Sequence, residues 1–238
     1  MAAQNLGILL TTSLTIGFVH TALGPDHYVP FVALARVREW SKRKTVLVTA
    51  LCGVGHVLGS IVLGALGIAL GWALGAMQEF EGMRGDWAAW GLIGLGLAYM
   101  VWGIRRGIRN KPHTHLHVHA DGIAHEHKHG HVDEHAHIHE SAQRSATTPW
   151  MLFIIFVLGP CEPLIPLLMV PAASHSWSAV AAVAATFSAV TIVTMCTIVV
   201  ALSYGLDLVR LGRLERWTHA LAGFSLFACG GAIKWLGL

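Results

Sequence analysis

Charge is scarce in this sequence. Asp, Glu, Lys and Arg make up 12% of its 238 residues, against 54% hydrophobic, and an ordinary soluble domain carries about twice that charge. Several apolar runs exceed the ~20 residues needed to span a bilayer, so the chain reads as a polytopic membrane protein with the lipid bilayer as its first partner. The four cysteines, Cys52, Cys161, Cys196 and Cys229, show no CxxC spacing, which argues against a zinc ribbon and a disulfide scaffold. No nucleotide-binding motif is present, so no ATP use and no enzymatic activity are expected of the chain itself. No nucleic-acid partner is expected either, because the net charge of +3 follows membrane topology. No Lys or Arg precedes the first apolar run, so a cleaved signal peptide is not indicated and the first helix is expected to be retained.

What is there instead is a series of six apolar stretches, at about 5–35, 45–77, 87–104, 149–173, 176–206 and 217–238. Basic residues mark one side of them. Arg36, Arg38, Lys42, Arg43 and Lys44 follow the first stretch, Arg105, Arg106, Arg109 and Lys111 the third, and Arg210, Arg213 and Arg216 the fifth. In the connection from Gln78 to Asp86, Arg84 is outweighed by Glu79, Glu81 and Asp86. The positive-inside rule then puts both termini outside, in the cytoplasmic (inner) membrane, and the polar segment 105–148 in the cytoplasm. The nine tryptophans fall at or near the ends of these stretches, as interfacial anchors do.

Within the first stretch lies the most unusual run, His20-Thr21-Ala22-Leu23-Gly24-Pro25-Asp26-His27-Tyr28-Val29-Pro30. Imidazoles and a carboxylate in an apolar segment mark an ion or proton path by default, and Gly24-Pro25 should break the helix beside them. Gly159-Pro160-Cys161-Glu162 repeats this pattern in the fourth stretch, and each copy is followed by further prolines. Three spans per half is an odd number, so the halves would be inverted. The expected fold is all-α, with six transmembrane helices as two inverted three-helix repeats, each with a broken first helix. The repeats would cover 1–104 and 149–238, with a cytoplasmic His-rich loop at 105–148 and a binding site between the halves.

Depth ties the polar residues together. Counted from the cytoplasmic ends of their stretches, Asp26, His27, His56, Cys161 and Glu162 all lie about 12–20 Å in, near the middle of a ~30 Å core. Imidazole with carboxylate suits a divalent transition metal, so His20, Asp26, His27 and His56 form the candidate ligand set, with Glu162 and Cys161 facing them from the other half. Cys52, one turn before His56, reads as a buried small residue. Ser188 and Thr191 lie at a comparable level, with hydroxyls read as bonded back to their own helix. In the polar segment, His113, His115, His117, His119, His125, His127, His129, His131, His135, His137 and His139 are interleaved with acidic residues. This tract reads as metal-binding, and its alternation also fits short hairpins.

The His20…Asp26-His27 signature, the six spans and the His-rich loop between the third and fourth resemble the nickel/cobalt transporters and urease-accessory transmembrane proteins. Their superfamily includes lysine exporters, sulfite exporters and the thiol-disulfide carriers of cytochrome c biogenesis. Five residues separate His20 from Asp26 here, where the nickel/cobalt permeases have four. The resemblance implies that His20, Asp26 and His27 determine metal selectivity. Gly159-Pro160-Cys161 is similar to the glycine-proline-cysteine motif of the thiol carriers, which makes a membrane electron carrier the main rival, yet the position matching Cys161 is Asp26. An anion exporter is disfavoured by the acidic character of the site. A storage or receptor protein using the His tract alone would not need the buried residues. The expectation is a secondary transporter of nickel, cobalt or zinc, with no permanent cofactor and protons as a candidate coupling ion. Export is slightly favoured over uptake, and the oligomeric state is left open.

Overall fold

The eight prolines of the chain fall at 25, 30, 112, 149, 160, 163, 166 and 171, and this distribution sets where the helices are long and where they break. The computed structural model describes residues 2–109, 113–118, 124–129, 143–208 and 212–237. The first stretch forms α1 (Ala2–Leu23), a 3-10 turn at Pro25–His27 and α2 (Val29–Val37). The proline-free stretches form α3 (Lys42–Ala69), α4 (Leu74–Arg109) and α7 (Trp177–Asp207) as continuous helices. Proline breaks return between α5 (Gln143–Leu158) and α6 (Leu164–Ala173), and α8 (Thr218–Leu236) ends the described fold. Among the described residues, four stretches are long and apolar enough to cross a membrane, Leu6–Leu23, Lys42–Ala69, Leu74–Arg109 and Trp177–Leu208, and Pro149–Leu158 and Leu164–Ala173 are shorter apolar helices.

In the His-rich segment, β1 (His113–Val118) and β2 (Ala124–His129) form an antiparallel hairpin whose register sets His113 opposite His129, His115 opposite His127 and His117 opposite His125. The fold is therefore helical with one small hairpin. His119, His131, His135, His137 and His139 lie outside the described residues.

One boundary differs from the sequence reading. The connection at 78–86 is helical, and α4 starts at Leu74 rather than near Trp87. The reason is physical. The segment contains no proline, and Glu81 and Arg84 stand three apart, so they neutralise each other on one face of a helix and need no loop to reach water. The preceding turn is closed by Gly71, at φ +67°, a conformation that glycine adopts without strain.

Helices of the two halves interleave. α1 packs on α7 and α3 on α5; α3 also packs on α7, and α2 on α8. The most extensive interface joins α4 to α8. It depends on glycine. A Cβ on Gly96 would lie 2.8 Å from the Gly223 carbonyl oxygen and from Phe227 Cα, and one on Gly223 would be 2.6 Å from Met100 Cα. Backbone cannot yield as a side chain can, and small residues are what lets helices approach this closely in lipid. Two larger apolar clusters and a small one of Leu63, Met77 and Ile165 fill the interior. Of the larger two, the first is built around Phe31, Cys52, Leu92, Phe156 and Met195, the second around Val57, Cys161, Leu164, Val183 and Phe187.

Gly96→Ala is expected to lower stability in detergent by about 1–3 kcal/mol, the usual range for overpacking a filled interface. Gly94→Ala, on an open face with nothing within 4 Å, is expected to leave the melting temperature unchanged or slightly raised. Equal behaviour of the two variants in thermal unfolding contradicts the glycine-dependent α4–α8 contact.

Candidate metal centre

Three histidines converge where α1 ends. His20 sits in its last turn, His27 closes the 3-10 turn and His56 lies in the middle of α3. One ring nitrogen from each lies within 4.8 Å of the others. The ring centroids are 4.8 Å apart for His20 and His27, 5.1 Å for His27 and His56, and 6.5 Å for His20 and His56. His27 meets both neighbours edge-on, at 82° and 86°. His27 and His56 are 1% and 2% exposed. Phe187 and Phe156 wall the cluster, with centroids 6.4 Å from His20 and 6.2 Å from His56.

The local sequence explains the convergence. Pro25 has no N–H, so the α1 ladder stops. The Gly24 N–H still reaches the His20 carbonyl at 3.0 Å, and the chain then tightens so that the His27 N–H reaches the Gly24 carbonyl at 3.1 Å. This folds His27 back toward His20. Gly24 permits the fold, since a Cβ there would lie 2.5 Å from His27 Nδ1 and 2.8 Å from Asp26 Oδ1.

Hydrogen bonds fix the ring orientations. His27 Nδ1 donates to Asp26 Oδ1 at 3.1 Å and to the Gly24 carbonyl at 3.2 Å. His56 Nδ1 donates to the Phe156 carbonyl at 3.3 Å. The carbonyl partners can only accept, so Nδ1 carries a proton in both rings, and Nε2 is the nitrogen that each neutral ring could offer to a ligand. Nε2 of His20, His27 and His56 are all buried without a hydrogen-bond partner. An unmet buried polar atom costs about 1–3 kcal/mol, and three at one point ask for a common ligand. A borderline divalent cation meets that demand. A carboxylate behind a liganding histidine, as Asp26 stands behind His27, is the usual arrangement around such ions.

The other candidates lie elsewhere. Asp26 supports His27 and is not among the three clustered donors. Cys161 is buried at the second break, and its backbone N–H donates to Ser60 Oγ (3.3 Å) and Glu81 Oε2 (3.2 Å). Glu162 is exposed beside it, because successive residues of a tight turn point in different directions. Neither joins the three-histidine cluster. Cys52 is packed in the first apolar cluster. Ser188 Oγ bonds back to the Ala184 carbonyl at 2.7 Å, whereas Thr191 Oγ1 is buried without a partner. Asp207, three residues before Arg210, accepts from Lys42 Nζ at 2.6 Å and Arg36 Nη1 at 3.3 Å. Arg210 lies outside the described residues.

Sequence reasoning missed a buried ion pair. Arg84 Nη1 donates to Glu81 Oε1 at 2.5 Å and to Ser60 Oγ at 3.4 Å, and Arg84 Nη2 donates to the carbonyls of Val157 (2.7 Å) and Gly159 (3.4 Å). The i, i+3 spacing of opposite charges beside an apolar helix was the available signal.

Over residues 29–232 the chain matches the family model described as the cytochrome C biogenesis protein transmembrane region. The chain belongs to that family. It is thus a multi-pass membrane protein of the thiol-disulfide carrier superfamily. The matched stretch takes in His56 and Cys161, while His20, Asp26 and His27 lie on its N-terminal side. No curated protein and no solved structure matches the chain.

For the purified protein, Asp26→Asn is expected to weaken Co2+ binding by roughly 10–100-fold, the usual loss when a partner behind a liganding histidine is changed. His27→Ala is expected to remove the cobalt absorption band altogether. Titration calorimetry and visible spectroscopy read both, and an Asp26→Asn protein that binds as the wild type does contradicts the supporting role of the carboxylate.

Proposed function

We propose that this member of the cytochrome c biogenesis transmembrane family is a secondary transporter of a divalent transition-metal cation, nickel or cobalt first and zinc second. The observation that carries this reading is the set of three buried histidine Nε2 atoms without a hydrogen-bond partner, on rings that each bring a nitrogen within 4.8 Å of the others. Imidazole binds these metals well, and a cluster of ionisable groups inside a membrane bundle is the common mark of an ion pathway. On this reading the chain is close in activity to the nickel/cobalt transporters, with the metal as cargo.

The architecture supports alternating access. We read the fold as six spans in two inverted halves, with α1–α2 equivalent to α5–α6, α3 to α7 and α4 to α8. Under that relation the α1–α7 and α3–α5 contacts are the same contact seen twice, and both are substantial. The breaks at Gly24-Pro25 and Gly159-Pro163 are then equivalent, and the cargo binds beside broken helices between the halves. Rocking of one half against the other would expose the histidines to either side, with a proton path through Asp26. The cytoplasmic placement of the His-rich segment favours export, since such a tract gathers ions before they enter the site.

A second reading, a membrane thiol carrier, is favoured by the family itself and by Cys161 at the second break. Such a carrier needs two cysteines that can meet. Among the described residues all four cysteines are free. Cys52 and Cys161 belong to different apolar clusters, and the position equivalent to Cys161 is Asp26.

Cellular nickel, cobalt and zinc content separates the two. Expression of the wild type is expected to lower the level of one metal, and His27→Ala to abolish the change. Deletion of 112–140 is expected to weaken it, and Cys161→Ser to leave it intact. Loss of function in Cys161→Ser with full function in His27→Ala would replace the metal reading with the thiol one.

A further inference from the structure

The Glu81–Arg84 pair is buried in the bundle, Glu81 fully and Arg84 at 7% exposure, yet it belongs to none of the apolar clusters and touches no histidine of the metal centre. Burying such a pair brings little net stability, because both charges lose their water. Its partners show what it does. Apart from Ser60 on α3, they lie at the break between α5 and α6. A helix end leaves its last carbonyls without donors, and here there is no water to satisfy them. Arg84 supplies the donors for the Val157 and Gly159 carbonyls. Glu81 Oε2 accepts the Cys161 N–H on the far side of Pro160. Ser60 Oγ lies between them, within reach of both Arg84 Nη1 and the Cys161 N–H.

The same helix end carries the Phe156 carbonyl, which holds the His56 Nδ1–H. His56 and Ser60 stand four apart on α3, so they share one face. That face meets the break twice, at His56 on the Phe156 carbonyl and at Ser60 beside the ion pair. The fit between α3 and the break is close, since a Cβ on Gly159 would lie 3.2 Å from His56 Nδ1, and one on Gly59 would lie 2.6 Å from Arg84 Nη2 and 3.0 Å from the Val157 carbonyl oxygen.

We infer that Glu81 and Arg84 are positioning residues that clamp the open end of α5, and through the Phe156 carbonyl fix the His56 imidazole with its proton on Nδ1 and its Nε2 toward the other two histidines. Release of the Val157 and Gly159 carbonyls lets the last turn of α5 shift, and His56 then loses its acceptor. The clamp on His56 stands whatever the cargo is. Its consequence for metal affinity rests on the metal-transport reading.

The test uses the full-length protein in lipid nanodiscs, metal-free, with 15N-labelled histidine. The His56 signals are assigned by their loss in His56→Gln. In the wild type, His56 is expected to show a protonated Nδ1 and an unprotonated Nε2. Arg84→Lys keeps a charge beside Glu81 but cannot reach two carbonyls as a guanidinium does, and is expected to move His56 to the other tautomer or to a mixture. Since a lone buried charge can unfold a protein, Glu81→Leu/Arg84→Met is run beside it; replacing both partners by apolar residues is often neutral for stability. Both variants are expected to keep the wild-type melting temperature within a few degrees while Co2+ affinity falls about tenfold or more. Wild-type His56 signals in whichever of the two variants folds would overturn the inference. A wild-type protein that fails to bind Co2+ would sink the metal reading alone, with the His56 signals still deciding the clamp.

Discussion

A backbone carbonyl inside an apolar bundle has to find its donor within the protein. That constraint organises this molecule. Two helices are broken by proline, and each break strands polar backbone where no water reaches. At the first break the Gly24 carbonyl accepts from the His27 N–H and from His27 Nδ1; at the second, the Phe156 carbonyl accepts from the Gly159 N–H and from His56 Nδ1, and the Val157 and Gly159 carbonyls accept from Arg84. Satisfying the breaks thus spends one nitrogen of each of two histidines on the backbone. The other nitrogen is left facing His20. The histidine cluster therefore sits where both breaks are braced by side chains.

The surrounding bundle makes the repair possible by holding the breaks against continuous helices. α3 presents His56 and Ser60 to the second break, and α7 presents Phe187 to His20. α4 packs directly on the second break, where a Cβ on Gly85 would lie 2.8 Å from Pro160 Cγ, and this holds Glu81 and Arg84 beside the end of α5. At the opposite end of α7, Asp207 ties that helix to Arg36 and Lys42 of the first half. Exposed at both partners, this tie is worth little as stabilisation, but it marks where the two halves touch near the basic side of the molecule.

Much of this was legible in the chain. Pro25 and Pro160 announce the breaks by a local rule, and the histidines stand out because imidazole is rare in apolar runs. His56 was found by depth alone, since a straight helix converts residue number into height. The illegible parts depend on rotation, which depth does not give. Asp26 and His27 are adjacent, yet only the 3-10 geometry decides that the carboxylate turns behind the ring. Glu162 sits at the right height and faces away. The Glu81–Arg84 pair was hidden for another reason. Charge was taken as a sign of a loop, whereas two opposite charges one turn apart cancel, and the backbone groups they bond to are more than 70 residues away in sequence.

The protonation pattern of the histidines has a consequence for how long an ion would stay. His27 and His56 commit Nδ1 to carbonyl acceptors, so Nε2 is the atom that either ring can offer to a cation. Imidazoles bring no negative charge, and among the described residues Asp26 is the carboxylate hydrogen-bonded to the cluster. A divalent ion there would be only half compensated, in surroundings that screen charge poorly. On the metal-transport reading, such a centre would recognise its ion by the geometry of its nitrogens and would not trap it by charge. It would then have the character of a relay, in which selectivity and brief residence come from the same residues.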